Sequence, residues 1–387
     1  MMNALLRALP QPPDYAWNWA ALAALPGMGT IFDDMARTHQ HLAWHGEDDV
    51  LTHTRMVCGE LAARPGFRAL EEGPRNALAL AALLHDLGKP RTTRLEDGVL
   101  TSPRHGPVGA QLARALLWTE YGCCGAPEAQ RFRETVCLLI RHHTLPLHLF
   151  ERANAETYAR KVASAGLLAP YFTLESLCLL GEADVRGRIA GDTAERLERV
   201  GLSRELAAEA GCRTGPYPFR SAVTARALFA GGSVWADQEL FDDTWGEVVL
   251  LCGLPGTGKD TWIAAHHPDL PTVCLDDIRE RLGVRPTDDQ GRVAQAAREQ
   301  ARALLRQRQP FIWNATSLTG QRSREIDLFE SYGARVRVVY LETPWEENLR
   351  RNAQRSRRVP EAVIGSMLSR LEPPLPWEAR QVDWVCV

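Results

Sequence analysis

The sequence predicts a multidomain protein, an all-α domain followed by an α/β domain with a parallel sheet. Three observations predict it. The chain has 387 residues, and at roughly 150 residues per domain that implies two or three domains. Up to about residue 210 the apolar residues recur at helical spacing, and no strong strand precedes about residue 245. From residue 247 short apolar runs alternate with amphipathic segments, the pattern of strands joined through helices into a parallel sheet.

The elements follow in order. LALAALLHDLG (78–88) reads as an apolar helix closed by a glycine. VGAQLARALLWTEYG (108–122), FRETVCLLIRHH (132–143) and ESLCLLGEADVRGR (175–188) repeat the helical spacing. Residues 211–246 lose that period. GCRTGPYPFRS gathers glycine, proline and aromatic residues, which marks a linker between domains at 1–210 and 247–387. Beyond it EVVLLCGL (247–254) is a buried strand that opens into a glycine-rich turn and a helix. TVCLDD (272–277), FIWNAT (311–316) and ARVRVVYLE (334–342) read as strands. RVAQAAREQARALLRQR (292–308) and PWEENLRRN (344–352) read as helices.

Composition narrows the class. Hydrophobic residues at 45% and charged residues at 24% exclude a disordered chain, and 30 glycines with 24 prolines exclude a collagen-like one. A net charge of −3 excludes a globally basic nucleic-acid coat protein but leaves room for a local basic groove. The nine cysteines are odd in number and form no CxxC pair, as expected of buried thiols in a reducing cytoplasm. Residues 15–32 are uncharged but broken by Asn18, Pro26, Gly27 and Gly29, a poor membrane span and a poor signal core. The expectation is a soluble cytoplasmic protein without a membrane partner, with homo-oligomerisation left open.

Two uneven distributions point to sites. Nine of the eleven histidines lie between His39 and His148. Lysine is scarce: of 45 basic residues only Lys89, Lys161 and Lys259 are not arginine. Two of the three fall in HDLGK and GTGK. Random placement would do this in roughly 0.3% of cases, so both are read as functional ammoniums rather than as stand-ins for arginine.

The histidine-rich half carries His53, His85–Asp86, His105, His142–His143 and Asp184. Imidazole and carboxylate ligands together suit Mn, Fe, Co, Ni or Zn. A helical domain can project them from several helices onto one or two central ions. A divalent ion there would polarise a phosphate and acidify bound water. Neighbours on a helix point about 100° apart, so only one of His142 and His143 faces such a centre. His39, His41, His45 and His148 read as surface or core polar residues, with HGEDDV (45–50) a minor candidate for lining the site.

LLHDLGKP within an H…HD…D order resembles the HD phosphohydrolase superfamily. RHGPVGA, IRHHTLP and GEADVRGR are similar to the HD domain attached to bacterial CCA-adding enzymes. The resemblance implies metal-dependent phosphomonoesterase or 2′,3′-cyclic phosphodiesterase chemistry. It implies one or two divalent transition-metal ions held by His53, His85, Asp86 and Asp184. His105 and His143 would face a second ion or the phosphate, and Lys89 would hold a phosphate oxygen. The same pattern selects His143 over His142.

In the second half GLPGTGKDT (253–261) follows a strand and opens a helix, the context a phosphate-binding loop requires. Backbone N–H groups around Gly256, Thr257 and Gly258 would curl about the phosphates, with Lys259 reaching the β- and γ-phosphates of ATP and Thr261 near the α-phosphate. A chance G-x4-G-K at this composition is expected roughly 0.02 times. The position after the lysine, which usually holds Mg²⁺ through a Ser or Thr hydroxyl, is Asp260. LDDIR (275–279) sits at the end of the second strand, where open α/β sheets place ligands. There Asp276 or Asp277 suits the base that accepts a hydroxyl proton, and Arg279 suits an anion clamp. LRRNAQRSRRVPEAV (349–363) is a basic segment in which Arg351 and Arg355, four residues apart on one helical face, suit a lid over the nucleotide.

The loop, the D-x-x-R and the R-x-x-x-R before Val359–Pro360 resemble the 5′-hydroxyl polynucleotide kinase family. That resemblance makes Asp276 the base and makes Arg279 the grip on the phosphate 3′ to the acceptor nucleotide. Arg351 and Arg355 would hold the ATP phosphates. Asn314 stands where the family often has an Asp. The two resemblances together are similar to the bacterial bifunctional HD-domain polynucleotide kinases and imply healing of RNA or DNA ends for a ligase. A nucleotide-metabolism enzyme, pairing a nucleotidase with a nucleoside kinase, is the alternative. A non-catalytic ATP-gated regulator is the third, and it needs no base at Asp276.

Overall fold

The computed structural model describes residues 1–387 apart from Ala43, Pro286, Thr287, Ser317 and Ser356; of the lid segment 349–363, Ser356 thus lies outside the described residues. The chain divides into two compact units, Met1–Tyr217 and Pro218–Val387.

The first unit is helical around a central helix, Glu72–Leu84, in which every residue from Ala77 to Leu84 is buried. Leucines and alanines occupy all of its sides there, the composition of a helix enclosed by others. Helices Val50–Ala63 and Pro127–His142 pack against it. His105–Thr119 packs on Pro127–His142, and Leu174–Arg186 on Val50–Ala63. The central helix stops before the expected glycine. His85 is its C-cap, and HDLG forms a turn in which the Lys89 N–H bonds the Asp86 carbonyl at 2.9 Å.

The helical unit also carries one small hairpin. Strands β1 (Arg94–Glu96) and β2 (Val99–Thr101) form an antiparallel hairpin. Its Asp97–Gly98 turn has positive φ at both residues, the geometry that Asp-Gly favours. Three-residue strands with no buried face carry no periodicity to read.

The second unit holds a five-stranded parallel sheet: β3 (Glu247–Cys252), β4 (Thr272–Cys274), β5 (Phe311–Asn314), β6 (Arg335–Glu342) and β7 (Gln381–Cys386), in the order β4-β5-β3-β6-β7. Val248 to Cys252 are all buried, as expected of a central strand covered on both faces. β7 was not expected from the sequence. The segment read as a linker contains helix Ala222–Phe229, capped by Ser221. Its Arg226 pairs with Glu330 at 2.6 Å within the second unit.

TVCLDD is a strand only to Cys274. Asp276 and Asp277 lie in the first turn of helix Leu275–Arg281, and neither is its N-cap. Arg355 is likewise off its expected helical face. Helix Trp345–Gln354 ends before it, and Arg355 is the extended C-cap.

Candidate active sites

The first unit gathers six of the expected residues into one buried cluster. His53, His85, Asp86, His143 and Asp184 are each at most 2% exposed, and His105 lies at the edge, its side chain 20% exposed. Asp86 stands in the middle. Its Oδ2 is 3.2 Å from His85 Nε2 and 3.7 Å from His53 Nε2, and its Oδ1 is 3.6 Å from His105 Nε2 and 3.9 Å from His143 Nε2. Two potential ligand groups therefore share one carboxylate: His53–His85–Asp86 and Asp86–His105–His143. Asp184 joins the first, with Oδ1 3.1 Å from His53 Nε2, and Arg188 holds its Oδ2 at 2.8 Å. His142 points elsewhere, its ring 6.2 Å from that of Phe172.

Local backbone builds this convergence. Gly88 lies so close to the start of helix His105–Thr119 that a Cβ there would come within 2.1 Å of the His105 carbonyl. Only glycine lets the HDLG turn and His105 share the space.

The imidazoles are oriented for cation binding. Nδ1 of His85, His105 and His143 hydrogen-bonds the carbonyl three residues back, Ala82, Ser102 and Ile140, at 2.7–2.8 Å. His53 Nδ1 reaches the Gly187 carbonyl and Glu47 Oε1, each at 3.0 Å. An Nδ1–H that donates leaves Nε2 a bare acceptor in the neutral ring. Yet the Nε2 atoms face each other, 3.4 Å apart for His53 and His85 and 3.1 Å for His105 and His143. Both Asp86 oxygens are buried; Lys89 Nζ meets Oδ2 at 2.7 Å, and Oδ1 accepts no hydrogen bond. Opposed lone pairs around that carboxylate are relieved by divalent ions, and N/O donors suit the transition metals named above. Burial, with His105 and His85 nearby, holds His143 down at about 3, in the neutral form a metal ligand needs. Burial would raise Asp86 and Asp184. His85 and Lys89 override it for Asp86, and Arg188 and His53 do so for Asp184, so both stay well below the usual carboxylate range.

Sequence reasoning missed Glu47. This buried carboxylate takes His45 Nδ1 at 2.8 Å and His53 Nδ1 on Oε1, and the Ile189 N–H at 2.9 Å on Oε2. Burial alone would raise it, but hydrogen bonds from His53, the Ile189 N–H and His45 hold it at about 2. His45 is thereby a neighbour of the site rather than a bystander. HGEDDV was the available signal, but its meaning depends on contacts 142 residues away. Gln40 was missed too: its Oε1 receives Lys89 Nζ.

In the second unit the phosphate loop leaves the C-terminal end of β3. Gly253, Gly256 and Gly258 have φ of 145°, 88° and 84°, values that glycine adopts without strain. A Cβ at Gly256 would come within 2.9 Å of the Asn348 carbonyl, whose side chain holds the Pro255 carbonyl at 2.8 Å. Thr257 is buried and bonds the Leu254 carbonyl. Lys259 opens the following helix, Lys259–His266, and its Nζ caps the Gly253 and Leu254 carbonyls at 3.0 Å each. Asp260 accepts Asn314 Nδ2 at 2.7 Å, and Thr261 is exposed on the helix.

The remaining expected residues of this unit meet at the same edge. Arg279 pairs with Asp276 and with Gln290 Oε1 at 2.9 Å. Arg355 comes within 3.9 Å of Asp276 Oδ2. Arg351 pairs with Glu347, and its Nη1 is 3.5 Å from where a Gly258 Cβ would stand. Arg357 bonds Asp277 at 2.7 Å and also pairs with Glu280, tying the basic segment to the Asp276 helix.

Fold and sites define a protein with a helical metal-type centre in one unit and a phosphate-loop α/β unit after it. The family comparisons agree. Residues 50–169 match the HD domain family, and residues 248–374 match an AAA domain family. An HD domain and a kinase-type domain in one chain are the makings of a hydrolase paired with a phosphotransferase. Among the described residues no helix is long and apolar enough to cross a membrane.

Proposed function

We propose that the chain heals nucleic-acid ends, adding a 5′-phosphate to 5′-hydroxyl RNA or DNA and removing 2′,3′-cyclic, 2′- or 3′-phosphates, so that a ligase can join them in the cytoplasm. What carries the reading is Asp276 paired to Arg279 at the mouth of the Lys259 loop, in a chain that also holds the Asp86-centred cluster.

In the kinase unit Asp276 accepts the proton of the 5′-hydroxyl as its oxygen bonds to the γ-phosphorus of ATP and the bond to ADP breaks. Lys259, Arg351 and Arg355 balance charge on the phosphates. Arg279, turning from Asp276, grips the phosphate on the 3′ side of the acceptor. In the HD unit His53, His85, Asp86 and Asp184 would hold one ion, and Asp86, His105 and His143 would face a second ion or the phosphate. Bound metal supplies an acidified water and a polarised phosphate. Lys89 holds a phosphate oxygen, and Asp86 stays anionic beside it.

Acceptor length tests the reading. A charge-assisted bidentate contact contributes about 1.5–3 kcal/mol, or roughly 10- to 150-fold. A 5′-hydroxyl oligonucleotide or nucleoside 3′-monophosphate is therefore expected to exceed a bare nucleoside by that factor in kcat/KM, and Arg279→Ala to erase most of the gap. Equal use of both acceptors by the wild type overturns the polynucleotide reading in favour of a nucleoside kinase.

A further inference from the structure

Two departures of the kinase unit from its family pattern meet at one hydrogen bond. In phosphate-loop enzymes a Ser or Thr hydroxyl after the loop lysine and an Asp carboxylate at the end of a neighbouring strand hold Mg²⁺ together. Here the loop position is Asp260 and the strand-end position is Asn314. β5 pairs with β3 so that Asn314 lies beside Leu251, two residues before the phosphate loop begins at Gly253. Asn314 Nδ2 donates to Asp260 Oδ1 at 2.7 Å.

We infer that Asp260 and Asn314 form a charge-exchanged magnesium site, in which the anionic ligand has moved from the strand end to the loop helix and the neutral oxygen from the helix to the strand. The inference rests on the kinase reading of the loop and names the residues that complete it. The exchange conserves what a hard cation needs: two oxygen donors, one of them charged. Each departure alone would fail. A carboxylate at 260 beside a carboxylate at 314 would place two like charges in contact, next to the phosphates. A hydroxyl at 260 beside an amide at 314 would leave the ion no anionic protein ligand. The amide does two jobs: its NH₂ fixes the carboxylate, and its carbonyl oxygen is free to ligate.

The remaining atoms support this. Asn314 is 6% exposed and Asp260 is exposed at the head of the loop helix, so their bond joins the strand end to a carboxylate open to an ion. Asp260 also sits in the first helical turn, where acids complement the helix dipole, but that role requires neither an asparagine on β5 nor a bond to it.

Exchange of the two side chains tests the site in the full-length protein. ATP affinity is measured by calorimetry with and without Mg²⁺ for wild type, Asp260→Ser, Asn314→Asp and the double variant, with Asp260→Asn as the charge-only control that keeps side-chain size. Mg²⁺ is expected to tighten ATP binding to the wild type. Asp260→Ser and Asp260→Asn are expected to lose about tenfold of that enhancement while metal-free binding holds or improves. Asn314→Asp alone is expected to weaken binding, and the double variant to recover most of the wild-type enhancement. An undiminished enhancement in Asp260→Asn, or a double variant no better than Asp260→Ser, overturns the exchange even if the wild type binds MgATP and phosphorylates oligonucleotides. A wild type that binds no ATP overturns both the exchange and the kinase reading. A wild type that binds MgATP but phosphorylates only nucleosides overturns the end-healing reading and leaves the exchanged site standing.

Discussion

Lys89 Nζ stands 2.7 Å from Asp86 Oδ2, on the carboxylate that both histidine groups share. Asp86 and Lys89 lie three residues apart, and Gln40 holds the ammonium from the other side at 2.5 Å. With Lys89 only 7% exposed, a compact ammonium fits where a planar guanidinium does not. Lys89→Arg is expected to lower phosphoesterase kcat by roughly 10- to 150-fold, the equivalent of one charge-assisted contact, with metal content by elemental analysis near wild type. Wild-type turnover in that variant removes Lys89 from the phosphate site.

Two units with separate clusters predict separable activities. Asp276→Ala should abolish transfer to 5′-hydroxyl ends and leave end-phosphate removal intact, and Asp86→Ala should do the reverse. Both activities are followed on one end-labelled oligonucleotide, with circular dichroism as the check on folding. Loss of both activities in either folded variant contradicts two independent centres.

Glu47 lies behind His53, with its Oε1 3.0 Å from His53 Nδ1. Carboxylates behind metal-bound histidines typically contribute 10- to 100-fold in affinity, so Glu47→Gln is expected to weaken metal binding by about that factor. Competition with a chromogenic chelator measures it without turnover. An unchanged affinity would reduce Glu47 to a packing role.

Lys259 predicts a pH dependence of nucleotide binding. Burial, with Arg355 adding to it, lowers its ammonium to about 8 in the free protein. The unfolded lysine titrates near 10.5, so the folded chain gives up this proton first. ATP phosphates favour the charged form, and binding above about pH 8 must take a proton up. Affinity should be level below about pH 8 and then fall by up to about tenfold per pH unit. Calorimetry at pH 8.5 in two buffers of different ionisation enthalpy reports the uptake directly. No uptake there would mean that Lys259 is already fully charged without nucleotide.

Much of this was legible in the sequence, for a physical reason in each case. The alternation from residue 247 gave β3, β4, β5 and β6, because buried parallel strands are short apolar runs. It did not give β7, whose residues are only half buried or exposed. The cluster around Asp86 was legible because nine of the eleven histidines fall between His39 and His148 and because His85–Asp86 stands in LLHDLGKP. Its division into two groups about one carboxylate was not, since that depends on helix ends meeting across the Gly88 contact. Arg351 and Arg355 looked alike by spacing. The end of the helix at Gln354 separates them, and only Arg355 reaches Asp276.

The carbonyls behind His85 and His143 are among the last of their helices, which have no acceptor role inside the helix. Each of these imidazoles is therefore aimed by the backbone it sits on, and His105 is aimed the same way from the turn that opens its helix. What disorients these three ligands is a change at the helix ends themselves, or a side chain at Gly88 that pushes on the His105 carbonyl, so the number of positions at which a single substitution disturbs their geometry is small. Among the four histidines, His53 is the one held from behind by a side chain, so Glu47 is where their aim is genetically exposed.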